Sequence, residues 1–293
     1  MTTAPIVVND ISRSFDGQVV VKNLSFSVKP GSIYGFLGRN GSGKTTTIRM
    51  LAGLIKPSAG EIRIMGSNPF TIGAAERQYL GYMSEKAAIP MNCTVRSVLK
   101  LGHSLYPTWD SALAEALLNK FNLPGKKRFK ALSQGSQRLL NFVMAVAPRP
   151  RVLLLDEPAA NLDVVARREI LDVILGLIRD GDCTVLFSTH ILSDVERVAD
   201  EIGILARGSL RISESLDTLK DSIRQVRFFG FKGGVPNDLV PESLCTVRSA
   251  GEITMTLRAN SRTTPEELAQ RWSCQLESRA LNLEDIFVEL SRN

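Results

Sequence analysis

Gly38-Arg39-Asn40-Gly41-Ser42-Gly43-Lys44-Thr45 fits G-x-x-x-x-G-K-[ST], the signature of a phosphate-binding loop. The apolar run Ser32 to Leu37 precedes it and a helical pattern over Thr45 to Leu54 follows, which is the strand–loop–helix setting the motif needs. Glycine at 38, 41 and 43 admits backbone conformations closed to residues with a Cβ, so successive N–H groups can converge on phosphate oxygens. The positive end of the following helix dipole meets the same anion. In such a loop the Lys44 ammonium lies between the last two phosphates and the Thr45 hydroxyl ligates Mg²⁺. Arg39, Asn40, Gly41, Ser42, Gly43 and Thr46 complete the cradle. The stretch predicts a nucleoside triphosphate site in an α/β fold.

Working outward, Ile6 to Val8, Val19 to Val28 and Ile33 to Leu37 are β-branched, partly alternating runs separated by Asp16-Gly17 and Pro30-Gly31, so they read as strands joined by turns. Glu61 to Met65 is a further short strand. Apolar positions three and four apart predict helices over Val95–Leu105, Ala112–Phe121 and Leu139–Val146, punctuated by Pro107, Pro124-Gly125 and Pro148. Val152 to Leu155 is continuously apolar, as a strand buried on both faces of a parallel sheet should be. A helix at Val164–Ile178, a strand at Thr184–Phe187, a helix at Leu192–Ala199 and a strand at Ile202–Leu205 follow. After Gly208 short alternating runs at Gln225–Phe229, Leu244–Val247 and Glu252–Leu257 surround a helix at Pro265–Trp272, and an amphipathic segment follows at Leu283–Leu290. This change of character predicts a main domain over residues 1–214 and a small α+β domain over 215–293.

Composition bounds the class. The 293 residues are 44% hydrophobic and 23% charged, ordinary for a soluble globular protein. No apolar run approaches the roughly 20 residues of a membrane span, and Met1-Thr2-Thr3-Ala4-Pro5 lacks the pattern of a secretory leader. Cys93, Cys183, Cys245 and Cys274 are scattered, which predicts reduced thiols and no zinc site. The net charge of +6 suits an anionic partner without choosing among nucleotide, nucleic acid and membrane surface. With only His103 and His190, a histidine-rich metal centre is excluded.

Three further stretches carry chemistry. Asp156-Glu157 ends the buried strand Val152–Leu155, and a carboxylate at that edge sits where ligands bind in open α/β sheets. Asp156 is placed to hold Mg²⁺ through water, and Glu157 to act as general base on the attacking water. His190 follows another buried strand; a lone histidine there is ordinarily a satisfied surface residue, but it can also bond a γ-phosphate oxygen. Leu132-Ser133-Gln134-Gly135-Ser136-Gln137-Arg138 precedes a helix and forms a second anion site, with Ser133 as hydroxyl donor. A chain that already has one complete phosphate loop has a use for it if it completes the site of a partner subunit.

Gly38–Thr45, Leu132–Arg138, Leu153–Pro158, Leu162-Asp163 and His190, in this order and spacing, resemble the nucleotide-binding subunit of ATP-binding cassette (ABC) transporters over about residues 5–214. The resemblance implies a P-loop NTPase core of ABC type with a helical subdomain over about 86–147, and the small C-terminal α+β domain beyond it. It implies ATP and Mg²⁺ as ligands and ATP hydrolysis as the activity. Phe15 falls where the family stacks an aromatic on adenine, with Val20 beside it. Ser133 and Gly135 match the signature that reaches the other subunit's ATP, and Asp163 matches the residue linking the two sites. Two subunits, identical or related, would close head to tail around two ATPs.

The sequence departs from the family at three places. Glu85 stands where glutamine usually meets Mg²⁺ and water; a carboxylate can still ligate the ion. The signature reads Leu-Ser-Gln-Gly-Ser, and Asn161 replaces a small residue. Lys44, Asp156, Glu157 and His190 all remain, so a competent ATPase is expected. Tyr106-Pro107-Thr108-Trp109-Asp110 and Leu281-Asn282-Leu283-Glu284-Asp285-Ile286-Phe287 look like bacterial subunits serving ABC-2-type permeases, many of them exporters. The permease would be a separate integral membrane protein docking near residues 86–125, which puts this chain at the cytoplasmic face of the membrane. The rival is a soluble ABC-type switch acting on ribosomes or DNA. Such members carry two cassettes or long coiled coils, and neither is present, so no nucleic-acid partner is expected.

Overall fold

The computed structural model describes residues 4–85, 89–179, 183–237, 240, 243–258 and 263–291. Residues 86–88, at the head of the predicted helical subdomain, lie outside these. The chain divides into two compact units, Met1–Ser213 and Glu214–Asn293.

The first unit holds β1 (Ile6–Phe15), β2 (Gln18–Val28), β3 (Ile33–Gly38), α1 (Lys44–Leu51), β4 (Ala59–Ile64), α2 (Ala74–Arg77), β5 (Leu80–Met83), α3 (Val95–Leu105), α4 (Ser111–Lys120) and α5 (Gln134–Val146). It continues through β6 (Val152–Asp156), α6 (Val164–Arg179), β7 (Thr184–Thr189), α7 (Leu192–Val198), β8 (Glu201–Ala206) and β9 (Ser209–Ser215), which crosses the division. A six-stranded sheet runs β5-β6-β7-β3-β8-β9, parallel from β5 to β8. Every residue of β3, β6, β7 and β8 is buried, which is why these strands read as unbroken apolar runs. A separate antiparallel sheet runs β2-β1-β4. One apolar core joins its inner face (Ile6, Val8, Ile11, Val21, Leu24) to Ile48 and Leu51 of α1 and to Phe36, Leu154 and Leu186 of the parallel sheet.

Register sets the site. Met83 lies opposite Leu155, Asp156 opposite Ser188 and Leu37 opposite Thr189, so β5, β6, β7 and β3 all end along one edge. The loops leaving that edge carry Glu85, Glu157 and His190, and Lys44 opens α1 beside them. Ligands bind at this carboxyl edge of a parallel sheet because each following helix presents its N-terminus there.

In the helical region α4 begins at Asp110, whose Oδ1 accepts from Leu113 N–H at 2.8 Å while Arg149 Nε donates to Oδ2 at 3.0 Å. The Leu113 N–H, then the arginine, hold this carboxyl below the ordinary range. Asp110→Ala is expected to destabilise the fold by about 1 kcal/mol near neutral pH, measured by denaturant unfolding. A depressed folded pKa contributes stability above the unfolded value of about 3.9 that is lost as pH falls through the folded one, so the two proteins should converge in acid.

The second unit holds α8 (Leu216–Ser222), β10 (Ile223–Phe229), β11 (Cys245–Ser249), β12 (Glu252–Arg258), α9 (Pro265–Arg271), β13 (Gln275–Ala280) and α10 (Leu283–Ser291). An antiparallel sheet, β11-β12-β10-β13, packs Val226, Phe228, Ile253 and Met255 against Leu268 and Trp272 of the α9 region. Thr264 and Glu267 cap α9 reciprocally, with Pro265 in its first turn. Several elements went unread. β13 has an almost wholly exposed sequence, and only its ladder to β10, from Arg224–Ala280 to Phe229–Gln275, makes it a strand. β5 has four residues, β9 alternates weakly, and α2 and α8 are too short to show periodicity.

Candidate nucleotide site

The loop between β3 and α1 is built as the motif requires, with one change of reason. Gly43 is the N-cap of α1 at φ +106°, and a Cβ there would lie 2.9 Å from the Val20 carbonyl oxygen. Gly38 is not in the left-handed region, so backbone freedom does not explain it. Its Cβ would lie 2.7 Å from the Leu205 carbonyl, so close packing against β8 is what demands glycine. Lys44 is only 6% exposed, and its Nζ donates to Gly38 O at 2.7 Å and lies 3.4 Å from Glu157 Oε1. Thr45 Oγ1 donates to Asp156 Oδ1 at 3.1 Å.

Asp156 is fully buried at the end of β6. Its Oδ1 accepts from Thr45 and, at 2.9 Å, from Ser188 Oγ; its Oδ2 is buried with no hydrogen-bond partner. Burial pushes this carboxyl above the ordinary range, and the two hydroxyls pull against that. Ser42 Oγ is likewise buried and unsatisfied. An orphaned carboxylate oxygen beside a threonine hydroxyl fits an Mg²⁺ held partly through water and phosphate, which takes one or two carboxylates from the protein. Among the described residues no three His, Cys, Asp or Glu side chains form a metal centre by themselves.

Glu157 sits at φ +52°, a left-handed conformation that costs a non-glycine residue about 1–3 kcal/mol and persists only when its surroundings hold it. Here Ser188 Oγ accepts from its N–H at 2.9 Å, and its carbonyl accepts from Arg138. The turn aims the carboxylate back at the loop: Oε1 faces Lys44, and Oε2 lies 2.9 Å from His190 Nδ1.

These groups line a cleft of about 510 Å³ with Val20, Asn40, Gly41–Thr46, Glu85, Ala160 and Asn161. Asp156, fully buried, and Arg39 do not line it, though the Arg39 carbonyl closes the loop by accepting from Ser42 N–H at 3.1 Å. Phe15 is not brought to the wall. It pairs with Gln18 at the end of β1, 38% exposed, and the Arg13 guanidinium lies 4.6 Å over its ring. The residue that does reach the cleft from the β1–β2 hairpin is Val20.

The ABC transporter family profile matches residues 21–160. The ABC transporter ATP-binding protein YtrB of Bacillus subtilis is 32% identical over 222 residues, 76% of this chain and 76% of that protein. This chain belongs to the family of ABC transporter ATP-binding subunits. The Nod factor export ATP-binding protein I of Neorhizobium galegae is 30% identical over 297 residues, covering 99% of this chain and 85% of that one, so the likeness extends through the second unit. A solved ATP-binding subunit of an ABC transporter superposes with a TM-score of 0.68 at 28% identity, over 75% of this chain and 92% of that one. The fold is the P-loop ABC cassette, and its ligand is ATP.

The cassette's remaining predicted residues do not line the cleft. Ser133 caps α5, its Oγ accepting from Ser136 N–H at 3.1 Å, so the helix starts five residues earlier than its periodicity indicated. Gly135 lies beside Leu162, whose Cδ2 would be 3.3 Å from a Cβ there. Asp163 caps α6, its Oδ1 accepting from Val165 and Ala166 N–H at 2.9 Å each. Ser133, Gly135 and Asp163 are therefore not brought to this chain's own cleft. Sequence reasoning missed Ser188, which ties Asp156 to Glu157, and Arg138 and Asn141, which reach from α5 to the backbone of Glu157, Glu85 and Ser84. It also missed Asp194, buried on α7 3.9 Å from Arg167 of α6, where burial raises its carboxyl above the ordinary range. No motif announces these partners, because each contact joins elements distant in the chain.

Proposed function

We propose that this cassette hydrolyses ATP with Mg²⁺, acts in pairs, and drives a separate ABC-2-type integral membrane permease in the export direction. The observation that carries it is the Glu157 carboxylate held between Lys44 Nζ and His190 Nδ1 in the wall of the phosphate-loop cleft. Glu157 takes a proton from water entering the cleft, and His190 orients Oε2 while it does so. Lys44 and the loop N–H groups receive the charge that builds on the phosphate oxygens. Mg²⁺ would neutralise those oxygens further, held by Thr45 Oγ1, the free Oδ2 of Asp156 and Glu85. Val20 and Phe15 receive the adenine, Phe15 by its part-exposed ring at the end of β1.

The capped start of α5 and the Asp163 loop supply Ser133, Gly135 and Asp163 to a second cassette, identical or related. None of the three lines this chain's own cleft, which supports that assignment. ATP closes such a pair only to the extent that it binds the closed state more tightly. No described helix is long and apolar enough to cross a membrane, so in this reading the permease is a separate chain and the cassette sits at the cytoplasmic face. The similarity to a Nod factor export subunit supports the export direction. A tagged copy extracted in mild detergent is expected to bring down a polytopic membrane protein together with Mg-ATP hydrolysis. Recovery with ribosomes, or with soluble partners alone, would overturn the transport reading.

A further inference from the structure

Arg138 lies on α5, five residues after the Ser133 cap, and its guanidinium spans two segments of the chain's own site. One arm donates to the Glu157 carbonyl and the other to the Glu85 carbonyl at 3.1 Å. One helical turn on, Asn141 Nδ2 donates to the Ser84 carbonyl at 3.1 Å, so α5 grips the Glu85 segment twice. The Glu157 carbonyl also accepts from Ala160 N–H at 3.2 Å, which closes the turn that aims its carboxylate.

We propose that Arg138 is a positioning residue: a clamp that fixes the left-handed turn at Glu157 and the Glu85 segment to α5 as one body. A planar fork presents two N–H arms at a fixed separation, which suits two carbonyls on different loops at once better than the single point of an ammonium. Without the clamp, nothing from α5 holds the Glu157 carbonyl, and the turn relaxes towards ordinary backbone conformations. The carboxylate then leaves the geometry set by Lys44 and His190. A second consequence follows from where α5 begins. The Ser133 end of the helix, which on the reading above serves the partner's nucleotide, is covalently continuous with the residue that holds this chain's own base. The clamp therefore couples the two sites mechanically through one rigid helix.

The inference rests on hydrolysis at Glu157, and its test separates the two. Arg138→Lys keeps the charge but offers a single ammonium, and Arg138→Gln removes the charge while keeping a donor. Both are expected to lower kcat by about ten- to hundredfold, the effect of misplacing a reacting group by about 1 Å, with KM for ATP unchanged within twofold. Amide hydrogen exchange should rise at Ala160, whose acceptor is the Glu157 carbonyl, while α1 and β3 keep their protection. An unchanged kcat in Arg138→Lys, or unchanged exchange at Ala160 in both variants, overturns the clamp. General loss of protection in Arg138→Gln alone is met by Arg138→Lys, the milder change. A wild-type protein that binds ATP without cleaving it removes the hydrolytic reading instead, and the exchange result then decides the clamp alone.

Discussion

Glu157→Gln protein is expected to bind ATP at least as tightly as the wild type and to turn it over about 10²–10⁴-fold more slowly, the usual contribution of a positioned general base. Gln has the same shape and can keep a hydrogen bond to His190 Nδ1, but it cannot take up a proton from water. It also removes a negative charge that lies 3.4 Å from Lys44 Nζ, on the wall that must receive a polyphosphate. Less repulsion at the anion favours binding while the chemical step is lost. With hydrolysis blocked, the paired form should accumulate under saturating Mg-ATP, read as a doubled mass by light scattering. Normal turnover would remove Glu157 as the base; blocked turnover without pairing would leave the base in place and remove the two-copy mechanism.

Lys44→Ala is expected to weaken ATP binding by about 1.5–3 kcal/mol, the worth of a hydrogen bond to a charged group, which is roughly ten- to hundredfold in affinity. The deletion does more than remove a donor. It leaves the Glu157 carboxylate facing the phosphates with no cation beside it, so the loss should fall in the upper part of that range. Because Lys44 is nearly buried, a melting curve must accompany the calorimetry; alanine is the best helix former, so the start of α1 itself is not weakened. Unchanged affinity in a folded variant would mean that the ammonium serves the loop through its bond to Gly38 O, with no part in holding nucleotide.

Local chemistry made much of this legible. The fully buried strands β3, β6 and β7 appear as apolar runs because a parallel sheet covered on both faces leaves no polar side to alternate. α3 runs from Val95 to Leu105, the bounds its periodicity predicts, because Thr94 caps one end and Pro107 lies beyond the other. Elements with little apolar content, such as β13, escaped because their stability comes from a neighbour's backbone. The true start of α5 at Gln134 escaped because its first turn is polar, so the hydrophobic pattern begins only at Leu139.

The residue order alone determined the phosphate loop, the acidic pair after β6, the histidine after β7 and the family they compose, since each is a run of neighbours whose chemistry depends on adjacent backbone. Tertiary structure decided the rest. It brought Glu157, His190 and Lys44 from three strand ends to one cleft, gave Gly38 its packing role against β8, kept Phe15 off the cleft wall, and put Arg138 across two loops. The reason is one of range. Backbone conformation and burial pattern are set within a few residues, whereas a hydrogen bond between segments 19 or 53 positions apart exists only once the sheet has put their strands side by side.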